Sequence, residues 1–330
     1  MTTLLVILIG LALIFDFLNG FHDSSNLVAT IISSRAMSPR LALTLTAAAE
    51  FVGPFIFGVA VASTIGEGIV PPHSVTLPVL LAALASAILW NLITWFLGIP
   101  SSSSHAMIGG LIGAVAAGVG FQNIQFAGLT KVFLALFLSP VLGLLAGYGL
   151  TRLVYFLARR ASPKINGFFK RAQIITAVGL ALSHGANDAQ KTMGIITLGL
   201  VTAGSLAEFE VPLWVVAASA SAIALGTSVG GWRLIRTLGG KFYKIRPVHG
   251  FCTQISSAAV ILGAALLGGP VSTTQVVSSA IMGVGSAERL SKVRWNVAGQ
   301  IAVAWLLTIP ATMLVSAGIY FLFKPLMATP

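Results

Sequence analysis

The chain is a succession of long apolar runs parted by short polar stretches. A helix crosses a bilayer with about 20 apolar residues. Runs of roughly that length cover 4–34, 41–65, 77–98, 105–126, 131–158, 172–207, 212–232, 248–268, 271–287 and 295–322. Strict apolar–polar alternation is nowhere dominant, which argues against a transmembrane β-barrel. The pattern predicts an all-α polytopic membrane protein. The runs 4–34 and 172–207 are too long for one plain span, and both carry Gly, Asn and Asp in mid-run. They are predicted as broken helices.

Composition agrees. Of 330 residues, 56% are hydrophobic and only 8% charged, and the mean hydropathy is +0.96. So few polar groups cannot cover a water-facing globule, which excludes soluble enzymes, DNA-binding domains and secreted scaffolds. The lone Cys252 excludes an internal disulfide and a cysteine metal cluster. Met1-Thr2-Thr3 lacks the basic start of a cleavable signal, so the first run is expected to stay as a helix.

The net charge of +11 reads as basic cytoplasmic loops rather than a nucleic-acid surface. All Lys and Arg but Lys131, Lys191 and Lys324 fall into four groups: Arg35 and Arg40; Arg152 to Arg171; Arg233 to Arg246; and Arg289 to Arg294. Placing the four groups inside puts both termini on the outer side. No Gly-x-x-x-x-Gly-Lys-Ser/Thr loop is present, so no nucleotide partner is expected.

A repeat underlies the runs. Gly20-Phe21-His22-Asp23-Ser24-Ser25-Asn26 matches Gly185-Ala186-Asn187-Asp188-Ala189-Gln190-Lys191, 165 positions on. Gly98-Ile99-Pro100 and Ser101 to Ser104 match Gly268-Gly269-Pro270 and Val271 to Thr274, 170 positions on. The basic groups give the two copies opposite directions. That predicts two inverted-topology repeats, 1–158 and 172–330, joined by a basic cytoplasmic linker at 159–171. The segment 99–104 holds no Lys or Arg, so it reads as the tip of a re-entrant hairpin rather than a cytoplasmic loop.

Few ionisable groups lie within the runs: Asp16, Asp23, Glu50, Asp188 and Lys191. A buried charge costs about 2.5–3.5 kcal/mol even on insertion scales, so each needs a partner or a function. Asp23 and Asp188 share a motif and a repeat relation, and read as a midplane cation or proton site. Glu50 reads as a cation-pathway or packing residue, with Ser219 or Ala220 in its counterpart stretch. Asp16 reads as a capping or pairing residue near a helix break.

Pro100 and Pro270 suit helix starts. The hydroxyls that follow cap exposed amides, and the helix dipole there favours an anion. Two such starts facing each other form a cage for a tetrahedral oxyanion. An acid beside it is tolerable if a cation lies between, if the acid is protonated, or if it accepts a hydrogen bond from the anion. Phosphate carries an O–H at neutral pH and sulfate does not, so a facing carboxylate favours phosphate. Lys191 either adds positive charge to that cage or pairs with Asp188 at i+3.

The segments Gly20 to Asn26 and Ser183-His184-Gly185-Ala186-Asn187-Asp188-Ala189-Gln190-Lys191 resemble the two signature motifs of the inorganic phosphate transporter (PiT) family. The likeness runs from Leu4 to Phe323. It implies a secondary active symporter that imports inorganic phosphate with Na+ or H+ by alternating access. It also implies discontinuous helices and hairpins around a midplane site, and a homodimer in the cell (inner) membrane, with no cofactor beyond the coupling ion.

The candidate phosphate-binding residues are Ser102, Ser103, Ser104, Ser272, Thr273 and Thr274, which by resemblance map onto the family's hairpin tips, Asn187 and Gln190, which map onto neighbouring polar positions, and Lys191. By resemblance Asp23 and Asp188 map onto the acidic motif positions essential for transport; with Asn26, His22 and Glu50 they are the candidates for the coupling cation or proton, Asp23, Asn26 and Asp188 being the candidate Na+ site. His22 stands where the commonest family pattern has Asn, and Lys191 where the first copy has Asn26. Both variants resemble bacterial members, which leaves Na+ against H+ open and a sulfate permease as the alternative.

His22 is either a proton relay or a neutral ring bonded to backbone. His105 and Gln275 are repeat equivalents, which predicts hydrogen bonding near the tips rather than metal ligation. His184 reads as orienting the second motif, His249 as structural, and Glu288 as a solvated loop charge. For an intramembrane hydrolase using a serine with His105, no Gly-x-Ser-x-Gly elbow surrounds Ser101 to Ser104. A passive channel has no need of paired acids.

Overall fold

A computed structural model describes residues 2–99, 101–232, 235 and 244–327. Pro100, Arg233, Arg236 and Lys241, used above, lie outside the described residues. The helices are α1 (Thr3–Ser33), α2 (Pro39–Phe57), α3 (Ala60–Gly66), α4 (Leu77–Leu97), α5 (Ser103–Gly118) and α6 (Phe126–Leu157). They continue as α7 (Ile165–Thr202), α8 (Leu213–Val229), α9 (Pro247–Leu266), α10 (Thr273–Glu288) and α11 (Trp295–Met327). Among them α1, α2, α4, α6, α9 and α11 are long and apolar enough to cross a membrane. In lipid the backbone must satisfy its own hydrogen bonds, which is why apolar runs of this length fold as helices.

The expected breaks are elsewhere. α1 and α7 are continuous helices of 31 and 38 residues. Neither contains proline; the motif side chains either reach neighbouring helices or, as Ser24, Ser25 and Gln190 do, donate back to carbonyls three or four residues earlier, which leaves the helix continuous. The interruption falls in 41–65, where Gly58 at φ 79° separates α2 from α3. The expected linker also shortens. α7 begins at Ile165, so the stretch 165–171 forms its first turns.

α4 and α5 form an antiparallel hairpin. The backbone of Gly110 closes on Ala83, and that of Gly118 on Val79. The first arm ends at Gly98, in the left-handed region at φ 68°. Gly268 ends α9 in the same way at φ 70° before α10 begins. Only glycine takes that conformation without steric cost.

The halves interleave rather than stand apart. α1 packs on α8, and α7 on α2. A Cβ on Gly20 would meet Ile223 O at 2.0 Å, and one on Gly185 would meet Glu50 O at 2.1 Å. Gly226 likewise closes on Phe17 and Phe21, and Gly53 on Leu182 and Ala186. These matched approaches make Ile223, not Ser219 or Ala220, the packing counterpart of Glu50. The same exchange joins α5 to α11 and α10 to α6. The largest core cluster runs from Leu5 to Ala265 and a second from Leu27 to Ile301, so both draw on the two halves.

Candidate functional site

The motif stretches of α1 and α7 and the starts of α5 and α10 converge in the interior. Ser102 caps α5 by accepting from His105 N at 3.1 Å, and Ser272 caps α10 by accepting from Gln275 N at 3.4 Å. The two starts touch: Ser104 Oγ donates to Val271 O at 3.0 Å. His105 Nε2 and Gln275 Nε2 are 3.4 Å apart, and His105 Nδ1 lies 2.8 Å from Ser102 Oγ. That is the expected hydrogen-bonding role of this pair.

The acids meet these starts. Thr274 Oγ1 donates to Asp23 Oδ1 at 2.8 Å, and Asn26 Nδ2 donates to Thr274 Oγ1 at 3.0 Å. Thr273 Oγ1 lies 2.9 Å from Asp188 Oδ2 and 3.2 Å from Asp23 Oδ2. A hydroxyl has one proton, so it serves one carboxylate at a time. Lys191 Nζ donates to Asp188 Oδ1, to Ser104 Oγ at 2.5 Å and to Val271 O at 2.9 Å. Ser103 Oγ donates to Asn19 Oδ1 at 2.5 Å, and Asn19 Nδ2 reaches Asp188 Oδ2 at 3.5 Å.

His184 stands at the centre. Its Nδ1 is 2.6 Å from Glu50 Oε1, and its Nε2 is 3.3 Å from Asp188 Oδ2 and 3.8 Å from Asp23 Oδ2. His22 Nδ1 lies 3.1 Å from Asp23 Oδ1. One ligand atom from each of Asp23, His184 and Asp188 lies within 4.8 Å of the others, close enough to share a cation or a proton. Asn26 Oδ1 is buried and accepts no hydrogen bond. Oxygen donors of this kind fit a hard cation.

Every one of these side chains is buried. Asp16, Asp23, Glu50 and Asp188 supply four carboxylates, against one fixed ammonium from Lys191. Uncompensated buried charge is costly, so the centre calls for further positive charge, as protons or as bound cations.

The comparisons fall on the same stretches. The model of the phosphate transporter family matches residues 19–167 and 157–316. The chain belongs to the phosphate transporter family. A Rhizobium meliloti protein named "Probable low-affinity inorganic phosphate transporter" is 48% identical over 320 residues, 96% of each chain. A Bacillus subtilis protein of the same name is 45% identical and covers 98% of this chain and 97% of its own. A solved structure titled "The sodium-dependent phosphate transporter" superposes with a TM-score of 0.88 at 27% identity. It covers 98% of this chain and 99% of its own. Membership of the phosphate transporter family makes this a transport protein rather than an enzyme.

Within this phosphate transporter, the other expected residues separate by position. Asn187 Nδ2 donates to Gly269 O at 3.0 Å, just before the α10 start. Gln190 faces away from the tips: its Oε1 accepts from Val61 N at 2.8 Å, and its Nε2 donates to Ala186 O at 2.5 Å. Asp16 lies mid-helix beside Thr192 rather than at a break. Glu288 is not a free solvated charge. It accepts from Arg246 and Lys292, each at 2.5 Å, and from Tyr155 at 3.2 Å, with His249 Nε2 at 3.0 Å.

Sequence reasoning undervalued His184 and passed over Asn19. The signal was present. Each stands four residues before its motif aspartate, and each is the other's repeat equivalent.

Proposed function

We propose that the protein is a secondary active symporter that imports inorganic phosphate with a coupling cation, Na+ or H+. The observation that carries this reading is the juxtaposition of Asp23 and Asp188 with the capped starts of α5 and α10. The helix starts and the hydroxyls of Ser103, Ser104, Thr273 and Thr274, with Asn187, form the phosphate cage. Ser102 and Ser272 hold the two starts in shape. Asp23, Asp188, Asn26, His22, His184 and Glu50 hold the coupling cation or proton. Thr273 is the hinge between the two functions, because it reaches both acids from a phosphate-facing start.

The anion meets acids that carry excess negative charge, so it enters only with a cation or proton. Coupling follows from that requirement. Protonated phosphate oxygens also donate to the aspartates, a bond that sulfate cannot make. In this reading the two inverted repeats, 1–158 and 172–330, exchange helices, so access alternates by movement of helix sets drawn from both around the centre, and both termini face outward in the cell membrane of a homodimeric transporter. Na+ at Asp23, Asn26 and Asp188 and a proton shared through His184 are the two forms of the coupling step.

Asp23→Asn and Asp188→Asn in proteoliposomes test the assignment. Each is expected to abolish phosphate accumulation while the protein still inserts. Normal accumulation by either variant removes that carboxylate from the mechanism.

A further inference from the structure

We propose that the Lys191 ammonium is a tethered cation: it fills, beside Asp188, a position that a free Na+ would otherwise occupy. The inference deepens the reading of the protein as a cation-coupled transporter and rests on it.

Lys191 is 1% exposed. Its ammonium has three protons and three oxygen neighbours of three kinds: the Asp188 carboxylate, the Ser104 hydroxyl and the Val271 carbonyl. Carboxylate, hydroxyl and backbone carbonyl are the oxygens that bind hard cations. With all three protons engaged, the ammonium has none left for an anion unless it releases one of these oxygens. Lys191 therefore completes the cation side of the centre rather than the phosphate cage.

The other half of the repeat shows the same arrangement without the charge. Asn26 is the repeat equivalent of Lys191, and Thr274 of Ser104. Asn26 Nδ2 reaches Thr274 as Lys191 Nζ reaches Ser104. Asn26 leaves its Oδ1 buried and without a hydrogen bond, so on that side an oxygen ligand stands where Lys191 places an ammonium. The two aspartates thus differ by one fixed charge. Asp23 can be neutralised only by a mobile cation, a proton or a neighbouring histidine. Asp188 carries its neutralising charge on the same helix. The protein then needs one free cation fewer per cycle than a relative with asparagine at this position.

Lys191→Asn tests this by making the second half copy the first. Melting temperature is measured in NaCl against choline chloride at equal ionic strength. Phosphate uptake is measured at fixed pH across a Na+ series. The variant is expected to gain a Na+-dependent rise of a few degrees beyond any shown by the parent. Its uptake is expected to fall about tenfold without Na+ and to recover with it, with an apparent Na+ order one higher than the parent's. Lys191→Met keeps the bulk but offers no charge and no oxygen, and is expected to lose uptake without recovery by Na+.

A folded Lys191→Asn that responds to Na+ as the parent does overturns the proposal, as does one that stays inactive at every Na+ concentration. If Lys191→Asn does not fold, Lys191→Gln is read in the same way. Failure of both to fold in high Na+ also overturns the proposal, because a free cation should replace a tethered one. A parent that takes up no phosphate would instead sink the transport reading, while the melting series would still decide the role of Lys191.

Discussion

His184 Nδ1 lies 2.6 Å from Glu50 Oε1 and joins α7 to α2 inside the buried centre. The opposite ring nitrogen faces Asp188 at 3.3 Å and Asp23 at 3.8 Å. One imidazole therefore links three carboxylates. Glu50→Gln keeps the shape of this contact and removes its charge. A hydrogen bond to a charged group contributes about 1.5–3 kcal/mol, a factor of ten or more. Uptake by this variant is expected to fall at least about tenfold, with insertion preserved, in a proteoliposome assay paired with size-exclusion analysis.

The two aspartates should differ in stability when neutralised. Asp188→Asn strands the buried Lys191 ammonium, and an uncompensated buried charge costs about 3–5 kcal/mol. Asp23 has imidazoles and neutral hydroxyls as partners and no lysine. Thermal unfolding in detergent is expected to place Asp188→Asn several degrees below Asp23→Asn. Equal melting temperatures would mean that the Lys191 pair carries little of the fold.

The crossing of α7 over α2 depends on a missing side chain. A Cβ on Gly185 would sit 2.1 Å from Glu50 O, a backbone atom that cannot step aside. Overpacking of this kind costs about 1–3 kcal/mol or more. Gly185→Ala is expected to lower the melting temperature and displace His184 from Glu50. Gly10→Ala, with open space around it, serves as the control and should melt like the parent.

The cluster around Glu288 should matter less to stability. Arg246 is half exposed, and surface ion pairs contribute about 0–1 kcal/mol. Glu288→Gln is expected to shift the melting temperature by no more than a few degrees. A larger drop would mark the contact with Tyr155 and His249 as a structural tie.

Sequence alone carried the helical class, because apolar runs of this length admit few other structures in lipid. Asp23 with Asp188 and Gly98 with Gly268 stand at near-constant offsets, and Thr273 reaches both aspartates, so the two matched motifs were legible as parts of one site. Sequence alone misplaced the helix breaks. Polar residues inside α1 and α7 suggested interruptions, yet they bond either to other helices or back to their own carbonyls without breaking the helix. The exchange of helices between halves was hidden, because it is written in close approaches such as Gly20 on Ile223 rather than in any run of residues. His184 was legible as a motif neighbour but not as the link among three acids. That role depends on α2 bringing Glu50 across from 134 positions away.

Phosphate uptake into proteoliposomes under an imposed Na+ or H+ gradient, with excess sulfate as competitor, tests the coupled symport of phosphate most directly. Phosphate is expected to accumulate above equilibrium with one of the two gradients, to leak only slowly without either, and to be undiminished by sulfate. Uptake that merely equilibrates under both gradients, or sulfate uptake with no phosphate signal, would contradict it.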